Sequence, residues 1–476
     1  MGEIKHSLAY RQRRAINWLP LGLAYALLYM GRYNLTVAQG ALGDSLMTKA
    51  QFGTIFGVGA WVYGLSFLLN GPLTDRWGGR RTMLIGVAGA IGANLLMGLV
   101  LYGINYWQWN VSVFSTFLVL YAVNMYFQSF GAVAIVTTKA PWFHVSERGT
   151  FSTIFGVLIA LGVYFAFDWG FAIVEASRAT PKADLGFWAS AFGTAFGLGQ
   201  SGWNEDWMIF FIPSILLGGF WLLMFAWLRN TPGEAGFRDF DTGEDHLGVS
   251  DHKETTRQIF GKIIRHPVLR IVCVVELMSG ILRNGVMHWY PMFAKEVGFK
   301  KEFWVSDNWG LALLIAGLLG GIFTGWMSDR FFQSRRAPMA TILYCLMLLA
   351  TAVMGLSLDL NWWFAGIAVM AISMSVIGVH GIFSGTATAD FAGAKNTGAA
   401  VGIVDGMVYL GTGLQSLVIG WIVPTGEAAK DPANWFYWPL VLLPAAGLGL
   451  LFASSIWHAK PKPKLRAVTD KPAKAA

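Results

Sequence analysis

About a dozen apolar runs, most of them roughly twenty residues long, decide what this chain can fold into: twenty is the length a helix needs to cross about 30 Å of hydrocarbon. The runs fall at 16–41, 51–71, 82–103, 111–136, 150–174, 207–228, 271–294, 307–327, 338–358, 361–384, 397–424 and 435–457. Alternating ten-residue strands, the mark of an outer-membrane barrel, are absent. Charge is scarce as well. Only 13% of the 476 residues are charged and 55% are hydrophobic, against about 25% charged in ordinary soluble domains. Such a chain cannot cover a water-facing surface, so the lipid bilayer is its medium. The expected class is an all-α polytopic membrane protein with twelve transmembrane helices. The 57 glycines suit close helix approach and the 22 tryptophans suit interfacial anchoring. Cys273 and Cys345 both fall inside runs and read as small buried apolar residues, not a disulfide or metal site. The basic start (Arg11, Arg13, Arg14) leads into a full-length span rather than a cleavable signal.

The net charge of +8 would suggest nucleic acid in a soluble protein; here its placement excludes that. Segments on the side of the termini hold 26 Lys and Arg, the opposite loops hold 7, and two lie within spans. That bias places both termini in the cytoplasm. The spans divide into an N-terminal six-helix half (1–228), a cytoplasmic linker (229–270), a C-terminal six-helix half (271–457) and a disordered tail (458–476). The linker carries Asn230-Thr231-Pro232-Gly233, an acidic run around Asp239–Asp245 and an amphipathic helix ending at His266-Pro267. The opposite loop 175–206 is long and carries an apolar patch that either lies on the membrane or caps a pore.

An internal repeat organises the chain. Gly71-Pro72-Leu73-Thr74-Asp75-Arg76 follows the second span, and Gly325-Trp326-Met327-Ser328-Asp329-Arg330 follows the eighth, with the aspartates 254 positions apart. The intramembrane arginines Arg32 and Arg283 are 251 apart. Two features with nearly one offset imply two pseudo-symmetric halves.

A cation at a helix centre costs about 2.5–3.5 kcal/mol on insertion scales, so Arg32 and Arg283 need a wet cavity or an anion. Facing each other across the pseudo-two-fold axis, two guanidinium forks suit a phosphate or carboxylate. Snorkelling, or pairing with a buried acid such as Glu276, is the structural alternative. Tyr25 and Tyr29 share a face with Arg32. Tyr63, Asn124, Gln128, His380 and Tyr409 add polar interruptions that read as cavity lining together, and as helix–helix contacts singly. Glu276 and Asp405, which lies one turn before Tyr409, are coupling candidates as proton carriers, or else counter-ions; Asp168 has the same two roles open. Asp75, Arg76, Asp329 and Arg330 read as gating or loop-locking charges. No Gly-Lys-Ser/Thr phosphate loop, metal spacing or nucleophile elbow occurs, so neither an enzyme, a cofactor nor ATP coupling is expected.

At these motifs the sequence resembles the major facilitator superfamily, with its inner-loop Gly-x-x-x-Asp-Arg, and more narrowly the organophosphate:phosphate antiporter family. The narrower resemblance spans nearly the whole chain and rests on Tyr25-x-x-x-Tyr29-x-x-Arg32, Tyr63-Gly64, Phe127-Gln128, Trp142-Phe143, Glu147-Arg148-Gly149, Asn230-Thr231-Pro232, Leu282-Arg283-Asn284-Gly285, Trp289, Gly378-Val379-His380, Gly398-Ala399-Ala400 and Tyr409-Leu410-Gly411. It implies the major facilitator fold and a monomeric inner-membrane antiporter. The carrier would exchange a small organic anion, an organophosphate, for inorganic phosphate by alternating access, and the family's phosphate-binding arginines fall at Arg32 and Arg283. Two departures stand out: the family's second-span lysine falls at Phe67, and its fifth-span histidine falls at about Ile159. They imply a different organic moiety or a different anion. A proton-coupled carboxylate or sugar-acid symporter and a non-transporting sugar-phosphate sensor are the alternatives.

Overall fold

The computed structural model describes residues 6–144, 147–178, 185–199, 205–240, 242, 256–333, 335–388 and 397–459. The tail from 460, most of the acidic run and parts of the long loop (179–184 and 200–204) lie outside them. Helices occupy all twelve expected positions, and the described residues contain no strand. The first half runs α1 (Leu8–Leu42), α2 (Lys49–Trp77), α3 (Gly79–Trp107), α4 (Val113–Lys139) and α5 (Arg148–Tyr164), which passes through a π turn (Phe165–Trp169) into α6 (Gly170–Ser177). A short α7 (Phe187–Phe196) and α8 (Met208–Trp227) complete it. Next come α9 (Thr256–Arg265) on the linker, α10 (Pro267–Met287), α11 (Trp289–Val297), the one-turn α12 (Trp304–Asp307), α13 (Trp309–Phe332) and α14 (Arg336–Ser357). α15 (Trp362–His380) runs into a second π turn (Gly381–Ala387), and α16 (Thr397–Ile422) and α17 (Tyr437–Ser455) close the chain.

Among the described residues, ten helices are long and apolar enough to cross a membrane. α1 and the α10–α11 pair are not among them, and these carry Arg32 and Arg283. The polar groups of α1 and the charges of α10 (Arg270, Glu276 and Arg283) set these elements apart from the other spans, and the same groups make them informative. The seventh span is also broken at His288, where the expected continuous run 271–294 becomes two helices. Local signals set the ends. Ser7 caps α1, a Thr48–Gln51 capping box starts α2, and His266 caps α10 with Pro267 behind it. Cys345 is exposed, not buried; it shares the outer face of α14 with Ile342, Leu346 and Leu349.

α1 starts about two turns before its apolar run because its first turns are tied down by polar contacts at the end of the bundle that holds the termini. Tyr10, Trp142 and Phe143 form a small cluster there. Asn17 donates to the Arg229 carbonyl (3.2 Å) and accepts from its N–H (2.7 Å), Trp142 Nε1 donates to the Asn230 carbonyl (3.1 Å), and Arg80 N–H donates to Asn230 Oδ1 (2.9 Å). Arg14 donates to Glu147 at 3.1 Å. Burial alone would raise the Glu147 pKa, but the hydrogen bond and charge of Arg14 outweigh it and hold the carboxyl below its usual range. Trp142 and Asn230 therefore tie the linker to the first half, and Glu147 ties the segment before α5 to the start of α1.

The halves meet along α2 against α16 and α5 against α13. Contact is closest at the end of the bundle away from the termini, the distal end. A Cβ on Gly57 would stand 2.9 Å from the Gly413 carbonyl, one on Gly420 2.8 Å from the Lys49 carbonyl, and one on Gly53 would collide with the Ser416 carbonyl. Only glycine permits that approach. Polar contacts reinforce it. Buried Lys49 pairs with Glu296 (3.0 Å) and donates to the Pro424 carbonyl (3.0 Å), and Lys295 donates to the Ala41 carbonyl (3.0 Å). Asp168, in the π turn after α5, accepts from the N–H groups of Gly310 (2.9 Å) and Leu311 (2.8 Å). It thus caps α13 across the halves rather than pairing with an arginine. The apolar patch of the long loop forms α7, which packs on α6 through Ala189, Phe192 and Gly193.

Candidate functional site

Arg32 lies mid-helix on α1 and is 1% exposed. Its Nε donates to Gln128 Oε1 (3.1 Å), Nη1 to the Tyr409 hydroxyl (3.0 Å) and Nη2 to the Tyr63 hydroxyl (3.1 Å). The guanidinium also lies over the rings of Tyr29 (4.7 Å) and Tyr63 (4.4 Å). Every one of these partners is neutral, so the buried charge is solvated but not balanced. A second tier fixes its position. Tyr121 donates to the Arg32 carbonyl (2.8 Å), Asn124 to the Gly31 carbonyl (2.9 Å), and Asn124 Oδ1 accepts from both Gln128 and Asn94 (3.1 Å each), with Asn34 donating to Asn94 (2.6 Å). Such a network holds a side chain in one geometry.

Arg283 is half-buried on α10 and has no hydrogen-bond or ion-pair partner among the described residues. It lies within electrostatic reach of Tyr33, Tyr29, Tyr409 and Arg32. The repeat-related arginines thus come to one locality from opposite halves. Glu276, offered by the sequence as a counter-ion for Arg283, accepts instead from His380 Nδ1 (3.1 Å). His380 Nε2 lies 4.0 Å from Asp405 Oδ1, and Ser384 donates to the same carboxylate oxygen. Tyr25 is buried beside Tyr29 (5.8 Å between centroids). Phe67 stands edge-on to Tyr63 (4.9 Å) and 6.3 Å from Tyr409, so it forms part of the wall near Arg32. Ile159 is half-buried on α5 against the apolar core. Asp75 and Arg76 are exposed at the end of α2, while Asp329 pairs with Arg336 (2.8 Å) and Arg330 is exposed.

Sequence reasoning missed His288. Its imidazole is wholly buried, bonded through Nδ1 to Thr36 Oγ1 (2.9 Å) and through Nε2 to Asn284 Oδ1 (3.1 Å), and it packs on Phe56 (4.1 Å) and Tyr33 (5.4 Å). Thr36 lies one turn beyond Arg32, and Asn284 directly follows Arg283. A cross-half polar contact therefore sits just distal to the arginines on both repeat helices. The Asn284-x-x-x-His288 spacing was the available signal. Lys49 also escaped, because from sequence it reads as an ordinary loop lysine.

The model of the Major Facilitator Superfamily matches residues 21–416. The chain belongs to that superfamily. Its relatives and its fold are those of membrane transporters, not enzymes. The chain is 26% identical to the glycerol-3-phosphate transporter of Bacillus subtilis (strain 168), over 96% of this chain and 95% of that one. It is 24% identical to the membrane sensor protein UhpC of Escherichia coli (strain K12), over 93% of this chain and 92% of that one. Among solved structures, a bacterial homologue of the human lysosomal transporter Spinster, in an inward-facing and unoccupied conformation, superposes with a TM-score of 0.70 at 17% identity. That match covers 96% of this chain and 100% of the other. The superfamily fold, like the helix pattern, makes this an integral multi-pass membrane protein.

Proposed function

We propose that this protein carries a phosphorylated organic anion across a bacterial inner membrane in exchange for inorganic phosphate, holding either anion between Arg32 and Arg283. The observation that carries the reading is the pair itself: two cations from opposite halves, one solvated only by neutral groups and the other without a hydrogen-bond or ion-pair partner among the described residues. A phosphate oxygen makes charge-assisted hydrogen bonds about twice as strong as those of a neutral acceptor. It would displace the Tyr409 and Tyr63 hydroxyls from Arg32 while engaging Arg283. The relative named as a glycerol-3-phosphate transporter supports the substrate class.

Exchange follows from the charges. Closing an empty carrier brings two guanidinium groups together in a low-dielectric centre, and their repulsion opposes the step. A bound anion cancels that repulsion, so the loaded carrier crosses more readily than the empty one. The distal contacts of α2 with α16 and of α5 with α13 support a state closed at that end. Asp75, Arg76, Asp329 and Arg330 belong to the opposite end, where the Asp329–Arg336 pair ties the α13–α14 turn. Proteoliposomes loaded with phosphate should take up a labelled organophosphate faster than unloaded vesicles do. Absence of uptake by folded protein under both conditions, with ligand binding retained, favours the sensor alternative.

Selectivity gives a second test. With Phe67 in the wall near Arg32 and Ile159 on α5, the wild-type protein should bind glycerol 3-phosphate poorly, and Phe67→Lys combined with Ile159→His should improve binding by about tenfold or more through an added charge-assisted hydrogen bond. Strong glycerol 3-phosphate binding by the unmodified protein overturns this. Orientation is checked separately. A cysteine at Lys430, exposed on the distal side, should react with an impermeant reagent applied from outside, and one at Arg238, in the linker, should not. The reverse pattern inverts the topology.

A further inference from the structure

We propose that Glu276, His380 and Asp405 form a proton-binding relay beside the anion site, whose occupancy by a proton strengthens anion binding. The inference rests on the arginine site just described and adds a second ligand to it. Glu276 on α10 is fully buried, with Oε2 on His380 and Oε1 buried and without a partner among the described residues. His380 at the end of α15 and Asp405 on α16 are 28% and 27% exposed. The exposures give a path: His380 and Asp405 both reach water and Glu276 does not, so a proton taken up at the His380–Asp405 pair is shared through Nδ1 with Glu276. Acid–histidine chains within a membrane are the means by which protons are held there. The π turn after α15 helps to build the site, because it places Ser384 on Asp405.

Among the described residues, the titratable groups facing this cluster are few. From α10 come Cys273 and Arg283, from α14 Tyr344, and from α16 Tyr409, one turn after Asp405 and bonded to Arg32. α17, which packs on α10 and α14, contributes no charged side chain. With both acids ionised and His380 neutral, the cluster's two negative charges offset the two arginines. One proton leaves the site net positive and attractive to an anion. By reciprocity, an anion bound at the arginines favours that proton. The proton also sets the mode of transport. A protonated empty carrier keeps an uncompensated positive charge and returns only with a counter-anion, whereas a deprotonated one is balanced and can return empty, giving net uptake with a proton.

The test measures the affinity of purified full-length protein for inorganic phosphate at roughly pH 6 and roughly pH 8, on either side of the ordinary imidazole pKa. Wild type is compared with Asp405→Asn, His380→Gln and Glu276→Gln. Phosphate's own titration is common to all four proteins, so the differences isolate the protein's proton. Wild type should lose at least about fivefold more affinity than each variant over this range, within the limit of about tenfold per pH unit for one linked proton. Asp405 and His380 are partly exposed, so those variants remain informative should Glu276→Gln fail to fold. Phosphate binding with the same pH profile in wild type and variants overturns the relay and leaves the arginine site standing. No phosphate binding at either pH overturns the arginine site itself.

Discussion

Gly53→Val should drive the protein out of the state in which its distal end is closed. The α2–α16 contact depends on a helix backbone touching a helix backbone, and even a methyl group on Gly53 collides with the Ser416 carbonyl. That carbonyl belongs to a helix pinned on both sides, by Gly57 against Gly413 and by Gly420 against Lys49, so it has little room to retreat. Overpacking of this kind costs about 1–3 kcal/mol, which shifts the balance between distal-closed and distal-open states by about 5- to 150-fold. Each half keeps its own core, since the collision lies between them. A cysteine at Phe56, buried in the plug around His288, reports the change in a background lacking Cys273 and Cys345. Its labelling by an impermeant thiol reagent should accelerate by at least about fivefold, within that same shift. Unchanged labelling would mean that the glycine contact does not hold the distal end shut.

Much of this architecture was legible in the chain because the bilayer imposes a length. Every apolar run of about twenty residues is found helical, the seventh broken at His288, and the matched offsets of Asp75 with Asp329 and of Arg32 with Arg283 pointed to two halves. Polar residues inside apolar runs were legible for the same reason: Arg32, Tyr63, Gln128 and Tyr409 stand out against leucine and do converge in space. Pairing was not legible. Glu276 shares a helix with Arg283, yet its partner is His380 from α15, because a pairing between helices depends on their rotation about one another. His288 and Lys49 were hidden by their flanks. Each sits at the edge of a run, where a polar residue is ordinary, and only the folded interface reveals that both are buried between the halves. Asp168 read as a lone buried acid until α13 supplied the two N–H groups it caps.

Arg32→Lys and Arg283→Lys should each weaken binding of inorganic phosphate or an organophosphate by about 10- to 100-fold, the loss of a hydrogen bond to a charged group at about 1.5–3 kcal/mol. Lysine retains the charge but not the planar fork. The two variants should differ in stability. Arg32 holds Gln128, Tyr63 and Tyr409 together, so its replacement lowers the thermal midpoint; Arg283 has no hydrogen-bond or ion-pair partner among the described residues, so its replacement leaves the midpoint near wild type. That asymmetry separates a ligand-binding role from a structural one, because Arg283→Lys should lose affinity without losing stability.

Whether the two arginines hold one and the same anion is decided by a double-mutant cycle. Phosphate affinity is measured on purified, folded wild type, Arg32→Lys, Arg283→Lys and the double variant. Groups that share a bound partner couple, typically by about 0.5–3 kcal/mol, so the double variant should lose clearly less affinity than the product of the two single losses. Wild-type affinity in both single variants, or two losses that multiply as if independent, would contradict an anion shared between the halves.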